Sequence, residues 1–191
     1  MSNDRLWAPW RLAYIKGLSQ EPTPREPLSL PAGADPHCFF CRDVADDQDR
    51  ANLVVHRGPR TITLLNRYPY NNGHLLVAPR EHLGRLDQLD EATQLESMMM
   101  LTRLVSLLEK LMTADGFNVG LNLGRAAGAG VPGHLHWHIV PRWNGDTNFM
   151  PVVGDTKVIS QSLEALWDLL VPALQTALDG TAPDGTAHDA P

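Results

Sequence analysis

Three histidines, His134, His136 and His138, alternate with Leu135, Trp137 and Ile139, and the stretch closes on Val140-Pro141-Arg142. Strict alternation is the period of a β-strand, whose successive side chains point to opposite faces. The three imidazoles therefore share one face, roughly 6.5–7 Å from one to the next. Leu135, Trp137 and Ile139 share the other face, which packs into a core. Two chemistries use imidazoles gathered this way. One is a transition-metal site, since neutral imidazole is a common zinc ligand. The other is nucleophilic catalysis at phosphorus or a carbonyl carbon, the middle ring attacking and its neighbours steadying the oxyanion.

The residues before the histidines favour the second chemistry. The loop Gly124-Arg125-Ala126-Ala127-Gly128-Ala129-Gly130-Val131-Pro132-Gly133 carries four glycines. Glycine lets backbone N–H groups approach phosphate oxygens closely, so Gly130 and its neighbours are candidate phosphate binders. His74, which follows Asn72-Gly73 at a turn-to-strand junction, can bring a fourth imidazole to the same place. Asn66 and Asn122 end two predicted strands and can reach ribose hydroxyls. Cys38 and Cys41 are the only two cysteines. In a cytosolic chain a Cys-x-x-Cys spacing is half of a zinc site or a redox pair. A redox pair belongs at the start of a helix after a strand. Here a Pro/Gly-rich segment precedes the pair and an acidic one follows, which favours metal.

These residues need a frame. At 191 residues the chain is long enough for one domain with extensions. The net charge of −6 argues against a protein that coats nucleic acid, because backbone phosphates need a basic surface. It leaves room for a small phosphorylated ligand. No apolar run reaches the length of a membrane span, and the first residues lack a signal-peptide pattern. The expectation is a soluble, cytoplasmic protein.

Residues 1–37 form an arm and linker. The arm holds Trp7, Trp10 and Tyr14, which are poorly placed if left in water and suit docking on the body or on a partner subunit. Residues 38–178 form the domain, and 179–191 a disordered tail. Asp43–Arg50 suits a short helix. Asn52–Arg57 and Thr61–Asn66 flank Gly58-Pro59 as a hairpin. A third strand covers His74–Ala78, and Glu81–Leu89 is a short helix or loop. Asp90 caps a long helix whose inner face is Leu95, Met98, Leu101, Val105, Leu108 and Met112. Met98-Met99-Met100 is then core filler. Asp115-Gly116 stops this helix. Phe117–Leu123 is a fourth strand, Val152–Ile159 an edge strand, and Ser160 caps a last helix to Leu178 that Pro172 kinks or splits. The order predicts an α+β fold, a mainly antiparallel sheet with one long covering helix and a C-terminal helix.

Asn72-Gly73-His74-Leu75-Leu76-Val77-Ala78-Pro79, His82 and His134-x-His136-x-His138-x-x-Pro-Arg together resemble the histidine triad (HIT) superfamily of nucleotide hydrolases and transferases. The similarity covers about residues 38–150. Trp7-Ala8-Pro9-Trp10-Arg11, Phe117-Asn118-Val119-Gly120-Leu121-Asn122-Leu123-Gly124 and Arg142-Trp143-Asn144-Gly145-Asp146-Thr147-Asn148-Phe149 are similar to the branch that includes bacterial diadenosine tetraphosphate phosphorylases. The resemblance implies a HIT fold, a homodimer, and catalysis by His136 as nucleophile, forming a nucleotidyl-imidazole. It gives His138 the phosphate oxygens and His74 a supporting role. It places Asn66 and Asn122 near the sugar and phosphate. It also implies a structural zinc held by Cys38, Cys41, His82 and His134. Phosphorolysis of diadenosine tetraphosphate to ATP and ADP is the first expectation. Dinucleoside polyphosphate or phosphoramidate hydrolysis, nucleotidyl transfer with sugar phosphates, and low-turnover nucleotide sensing are the alternatives. One departure concerns the leaving group: many hydrolase-type members carry Gln or Ser/Thr where this chain has Gly130-Val131-Pro132-Gly133.

Overall fold

The computed structural model describes residues 28–147 and 159–180. Helix α1 (Phe39–Ala45) and a single helical turn α2 (Asp49–Asn52) lead into strands β1 (Val54–Arg57), β2 (Thr61–Leu65) and β3 (Leu75–Pro79). A short 3-10 turn (Leu86–Gln88) precedes the long helix α3 (Glu91–Met112). Strand β4 (Gly116–Leu121), a second 3-10 turn (Arg125–Ala127), strand β5 (Trp137–Arg142) and helix α4 (Leu163–Leu178) complete the order. Among the described residues no helix is long and apolar enough to cross a membrane.

The five strands form one sheet in the order β1-β2-β3-β5-β4, every neighbouring pair antiparallel. The chain runs β1 to β3 as a meander and then leaves the sheet through α3. It returns as β4 at the far edge, and β5 fills the gap between β3 and β4. β3 and β4 are therefore parallel to one another, and parallel strands need a long crossover, which α3 supplies. The fold is α+β with one antiparallel sheet, as the sequence predicts.

The two faces of the sheet carry separate cores. Leu53, Val55, Leu65, Leu75, Val77 and Ile139 pack against α3 and α4. Val54, Ile62, Leu64, Leu76 and Ala78 pack against Cys38, Phe40, Cys41 and Val44 around α1. Alternation along β3 and β5 puts His74 and His138 on the α1 face and Val77 and Ile139 on the other. The histidines thus stand beneath the small helix, while the two large helices brace the sheet from behind.

Several local expectations shift. Strand β5 starts at Trp137, so His134 and His136 belong to the extended lead-in rather than to the paired strand. Asp90 does cap α3, its Oδ1 accepting from Thr93 N–H at 2.7 Å. The helix ends earlier than the glycine signal, at Thr113, which takes a left-handed conformation (φ 49°). Its inner face is turned from the predicted one: Thr93, Ser97, Met100, Leu101, Leu104, Leu107 and Leu108 are buried. Leu95 is 62% exposed, Met98 51% and Met99 45%, so of the three methionines only Met100 is core. Ser162, not Ser160, caps α4 through Ala165 N–H (3.2 Å), and Pro172 sits inside a continuous helix. The arm of residues 1–16, most of the predicted strand at 152–159 and the tail from 181 onward lie outside the described residues.

Candidate active site

The centre is built from a tail-to-tail use of His134. Its Nε2 lies 2.9 Å from the carbonyl oxygen of Pro79, the last residue of β3. A carbonyl only accepts, so Nε2 carries the proton and Nδ1 keeps its lone pair. That lone pair faces Cys38 Sγ at 3.3 Å and Cys41 Sγ at 3.6 Å. His82 Nδ1 stands 3.2 Å from Cys41 Sγ. The four ligand atoms lie within 4.8 Å of one another. Tetrahedral zinc with ordinary Zn–S and Zn–N bonds separates its ligand atoms by roughly 3.3–3.8 Å, which these contacts approach. Pro79 plays the outer partner that fixes a metal-binding imidazole in its tautomer. Burial pushes the Cys38 thiol up to about 12 and the His134 imidazolium down to about 4. A thiolate in this pocket therefore calls for a cation, and the donor set fits a closed Cys₂His₂ metal site. Cys38 does stand at the N-terminus of α1, against the expectation from the preceding Pro/Gly-rich segment. The two imidazoles beside it are what set a metal above a redox pair.

The backbone of the same residue holds the next one. His136 Nδ1 donates to the carbonyl oxygen of His134 at 2.8 Å. The proton is thereby placed on Nδ1, and the Nε2 lone pair is left available. Burial lowers the His136 pKa, so the ring stays neutral and nucleophilic through neutral pH. Phe40 of α1 packs against both rings, with centroids 4.8 Å from His134 and 5.0 Å from His136.

A third chain of contacts sets His138. Tyr70 N–H donates to His74 Nδ1 at 3.0 Å. His74 must then carry its proton on Nε2, which lies 3.0 Å from His138 Nδ1. His138 accepts there and bears its own proton on Nε2. The backbone amide of Tyr70 so fixes two imidazoles, and its ring lies over both, at 4.7 Å from His74 and 5.9 Å from His138. Asn66 joins them: its Oδ1 accepts from Tyr68 N–H (2.9 Å), and its Nδ2 lies 3.2 Å from His74 Nδ1. Both ends of the Asn66 amide are engaged within the protein, so a sugar hydroxyl would share them.

His138 is flanked in register by Leu76 on β3 and Gly120 on β4. Cross-strand partners share a face. A Cβ on Gly120 would meet nothing within 4 Å, which leaves open space beside the His138 ring. Asn122 follows Leu121, the register partner of Trp137, and is half-buried next to the His136 end of β5. Gly130 is exposed on the loop above. The site thus gathers His74, His136, His138 and Asn66 by direct contact, places Asn122 beside them, and leaves Gly130 at the rim. Phe40, Tyr70 and the Pro79 carbonyl were not singled out in the sequence. Phe40 lies between the two cysteines and could have been. A backbone N–H or C=O carries no side-chain signal at all.

Residues 48–145 match the model of the HIT domain. An AP-4-A phosphorylase from Mycobacterium tuberculosis is 40% identical over 159 residues, 83% of this chain and 78% of the relative. An adenosine 5'-monophosphoramidase from Schizosaccharomyces pombe is 32% identical over 107 residues, 56% of this chain and 75% of the relative. Among solved structures, a zinc-bound histidine triad family protein from Mycobacterium smegmatis superposes with a TM-score of 0.61 at 27% identity, covering 76% of this chain and 98% of that one. With its histidines, its sheet order and these relatives in agreement, the chain belongs to the HIT family.

Proposed function

We propose that this chain is a nucleotidyl-transferring enzyme that phosphorolyses diadenosine tetraphosphate to ATP and ADP through a covalent nucleotidyl-His136. The observation that carries the reading is the 2.8 Å contact between His136 Nδ1 and the His134 carbonyl, which reserves Nε2 for attack. The similarity to AP-4-A phosphorylase supports the substrate.

In the first step the Nε2 lone pair of His136 bonds to the α-phosphorus. The bond to the bridging oxygen breaks, and ATP departs with that electron pair. The ring becomes cationic, and the His134 carbonyl stabilises it through Nδ1–H. His138 Nε2–H donates to a phosphoryl oxygen, where donors held in advance lower the barrier most. In the second step an oxygen of inorganic phosphate attacks the same phosphorus. The P–N bond breaks, its electron pair returns to Nε2, and ADP leaves. His74 and Asn66 act by holding His138 in its tautomer. Asn122 and the Gly130 amide are the candidate contacts to the phosphate and sugar.

Cys38, Cys41, His82 and His134 would hold a structural zinc. Its contribution is to fix His134, whose backbone oxygen in turn holds the nucleophile. Two reduced thiolates used as ligands suit a cytoplasmic setting. A homodimer is the proposed assembly. β4 is an edge strand with Val119 45% exposed, and α3 presents Leu95, Met98 and Met99 to the outside. Unpaired strand edges and clustered apolar side chains are what subunit contacts cover.

The test is incubation with diadenosine tetraphosphate, with and without inorganic phosphate. ATP plus ADP formed only in its presence is the expected result. AMP plus ATP formed without phosphate would make the chain a hydrolase. No turnover in either case would leave a nucleotide sensor.

A further inference from the structure

The loop between β4 and β5 is fixed at one end and open at the other. Near its end, Leu135 N–H donates to Leu83 O at 2.6 Å. A Cβ on Gly133 would come 3.0 Å from His82 Nε2, and one on Gly84 would come 2.8 Å from the Pro132 carbonyl. The last residues are thus clamped against the metal cluster. At the other end nothing lies within 4 Å of a Cβ on Gly124 (φ 78°) or Gly128 (φ 86°). Between these glycines one 3-10 turn carries Arg125, held by Gly128 N–H to Arg125 O (3.0 Å) and Ala129 N–H to Gly124 O (3.2 Å).

From Leu123 to Gly133 every side chain except Arg125 is apolar or absent. Five of the other described arginines sit within ion-pair distance of an acid: Arg50 with Asp168, Arg57 with Asp49, Arg60 with Asp90, Arg85 with Asp87 and Arg142 with Asp146. Arg125 is exposed and pairs with no acid among the described residues. It lies three residues beyond Asn122, so its Cα is within roughly 11 Å of the Cα beside the nucleophile. From Leu123 to Gly133 no Ser, Thr or Gln is present to meet a departing phosphate, and the one charged side chain there is the exposed guanidinium of Arg125, three residues from Asn122.

We propose that Arg125 is a specificity-determining residue that binds the polyphosphate leaving group. The proposal rests on the nucleotidyl-transfer reading of the site. When His136 Nε2 bonds to the α-phosphorus, the α-phosphorus–oxygen bond breaks and its electron pair stays on the bridging oxygen. The departing nucleoside polyphosphate gains that negative charge on its terminal phosphate. A planar guanidinium can take two of its oxygens at once, which an ammonium cannot. Arg125 therefore selects substrates whose leaving group is a polyanion over those whose leaving group is small and uncharged.

The test compares kcat/KM for diadenosine tetraphosphate and adenosine 5'-phosphoramidate, which share the adenylyl group and differ in what leaves. Arg125→Ala should lower the value for the tetraphosphate roughly ten- to a hundredfold more than for the phosphoramidate, the scale of a lost hydrogen bond to a charged group. Arg125→Lys should restore part of the difference. Equal losses on both substrates, or no loss on the tetraphosphate, would overturn the role of Arg125 while the reaction stands. Wild-type protein that releases nucleotide from neither substrate would overturn the reaction and the role together.

Discussion

At the scale of single residues, the three histidines are not equivalent, and hydrogen-bond direction separates them. His134 turns Nδ1 to the two cysteine sulfurs and its carbonyl to His136; His136 keeps Nε2 free; His138 takes its tautomer from His74. His74→Ala should therefore lower kcat roughly ten- to a hundredfold, the usual loss when an orienting partner is removed, with a smaller change in KM. His74→Asn, whose amide can still donate to His138 Nδ1, should recover part of it. A kcat unchanged by His74→Ala would mean that His138 needs no such partner. The spacing of His134, His136 and His138 made their common face legible, and the family resemblance supplied the roles proposed for them. The directions were not legible, because Tyr70 N–H, Pro79 C=O and His134 C=O are backbone groups that any residue would offer.

Among the elements, α1 and α3 show where periodicity informs and where it misleads. The step of three and four along α3 announced a long amphipathic helix, but the inner face is rotated. Glu96 explains it. Its Oε1 accepts from Arg60 N–H (3.0 Å), Thr61 N–H (2.9 Å) and Thr61 Oγ1–H (2.7 Å), tying the first turns to the β1–β2 hairpin. Thr93 and Ser97 then turn inward, and Ser97 Oγ–H is satisfied by Thr93 O at 2.7 Å. A hydropathy pattern counts these hydroxyls as outward. Helix α1 is bound to the sheet by its cysteines and Phe40, so the Cys38, Cys41, His82 and His134 cluster is a joint between α1, the segment after β3 and the lead-in to β5. Cys38→Ser, or chelation of the wild-type metal, should cost more than about 4 kcal/mol, where loss of a metal belongs. That corresponds to a fall in Tm of roughly 10 °C or more in calorimetry. Activity should fall with it, since the joint holds His134, whose carbonyl positions the proposed nucleophile His136. Unchanged melting after complete metal removal would show that the cluster does not brace the fold.

For the whole molecule, the sheet order puts β4 at an edge, with the outer face of α3 uncovered in the single chain. The sequence did not reveal that β5 would insert between β3 and β4, since strand order depends on the crossover through α3 rather than on any local pattern. Nor did it reveal that Leu95 and Met98 would face outward. Their exposure at 62% and 51% suits a subunit contact. Wild-type protein should sediment at twice the chain mass. Leu95→Glu combined with Met98→Glu should shift it to the monomer, because a buried unpaired carboxylate at each site opposes association. A double variant that remains fully dimeric would place the contact elsewhere.

The most direct test is to look for the adenylyl group on His136. The full-length protein is mixed with diadenosine tetraphosphate without inorganic phosphate, quenched in alkali, where a phosphoramidate survives, and its peptides are weighed by mass spectrometry. An adenylyl adduct on the peptide spanning His136, absent in His136→Ala and discharged as ADP when phosphate is added, is the result the account predicts. Turnover with no adduct at any time point, or turnover retained in His136→Ala, would contradict it.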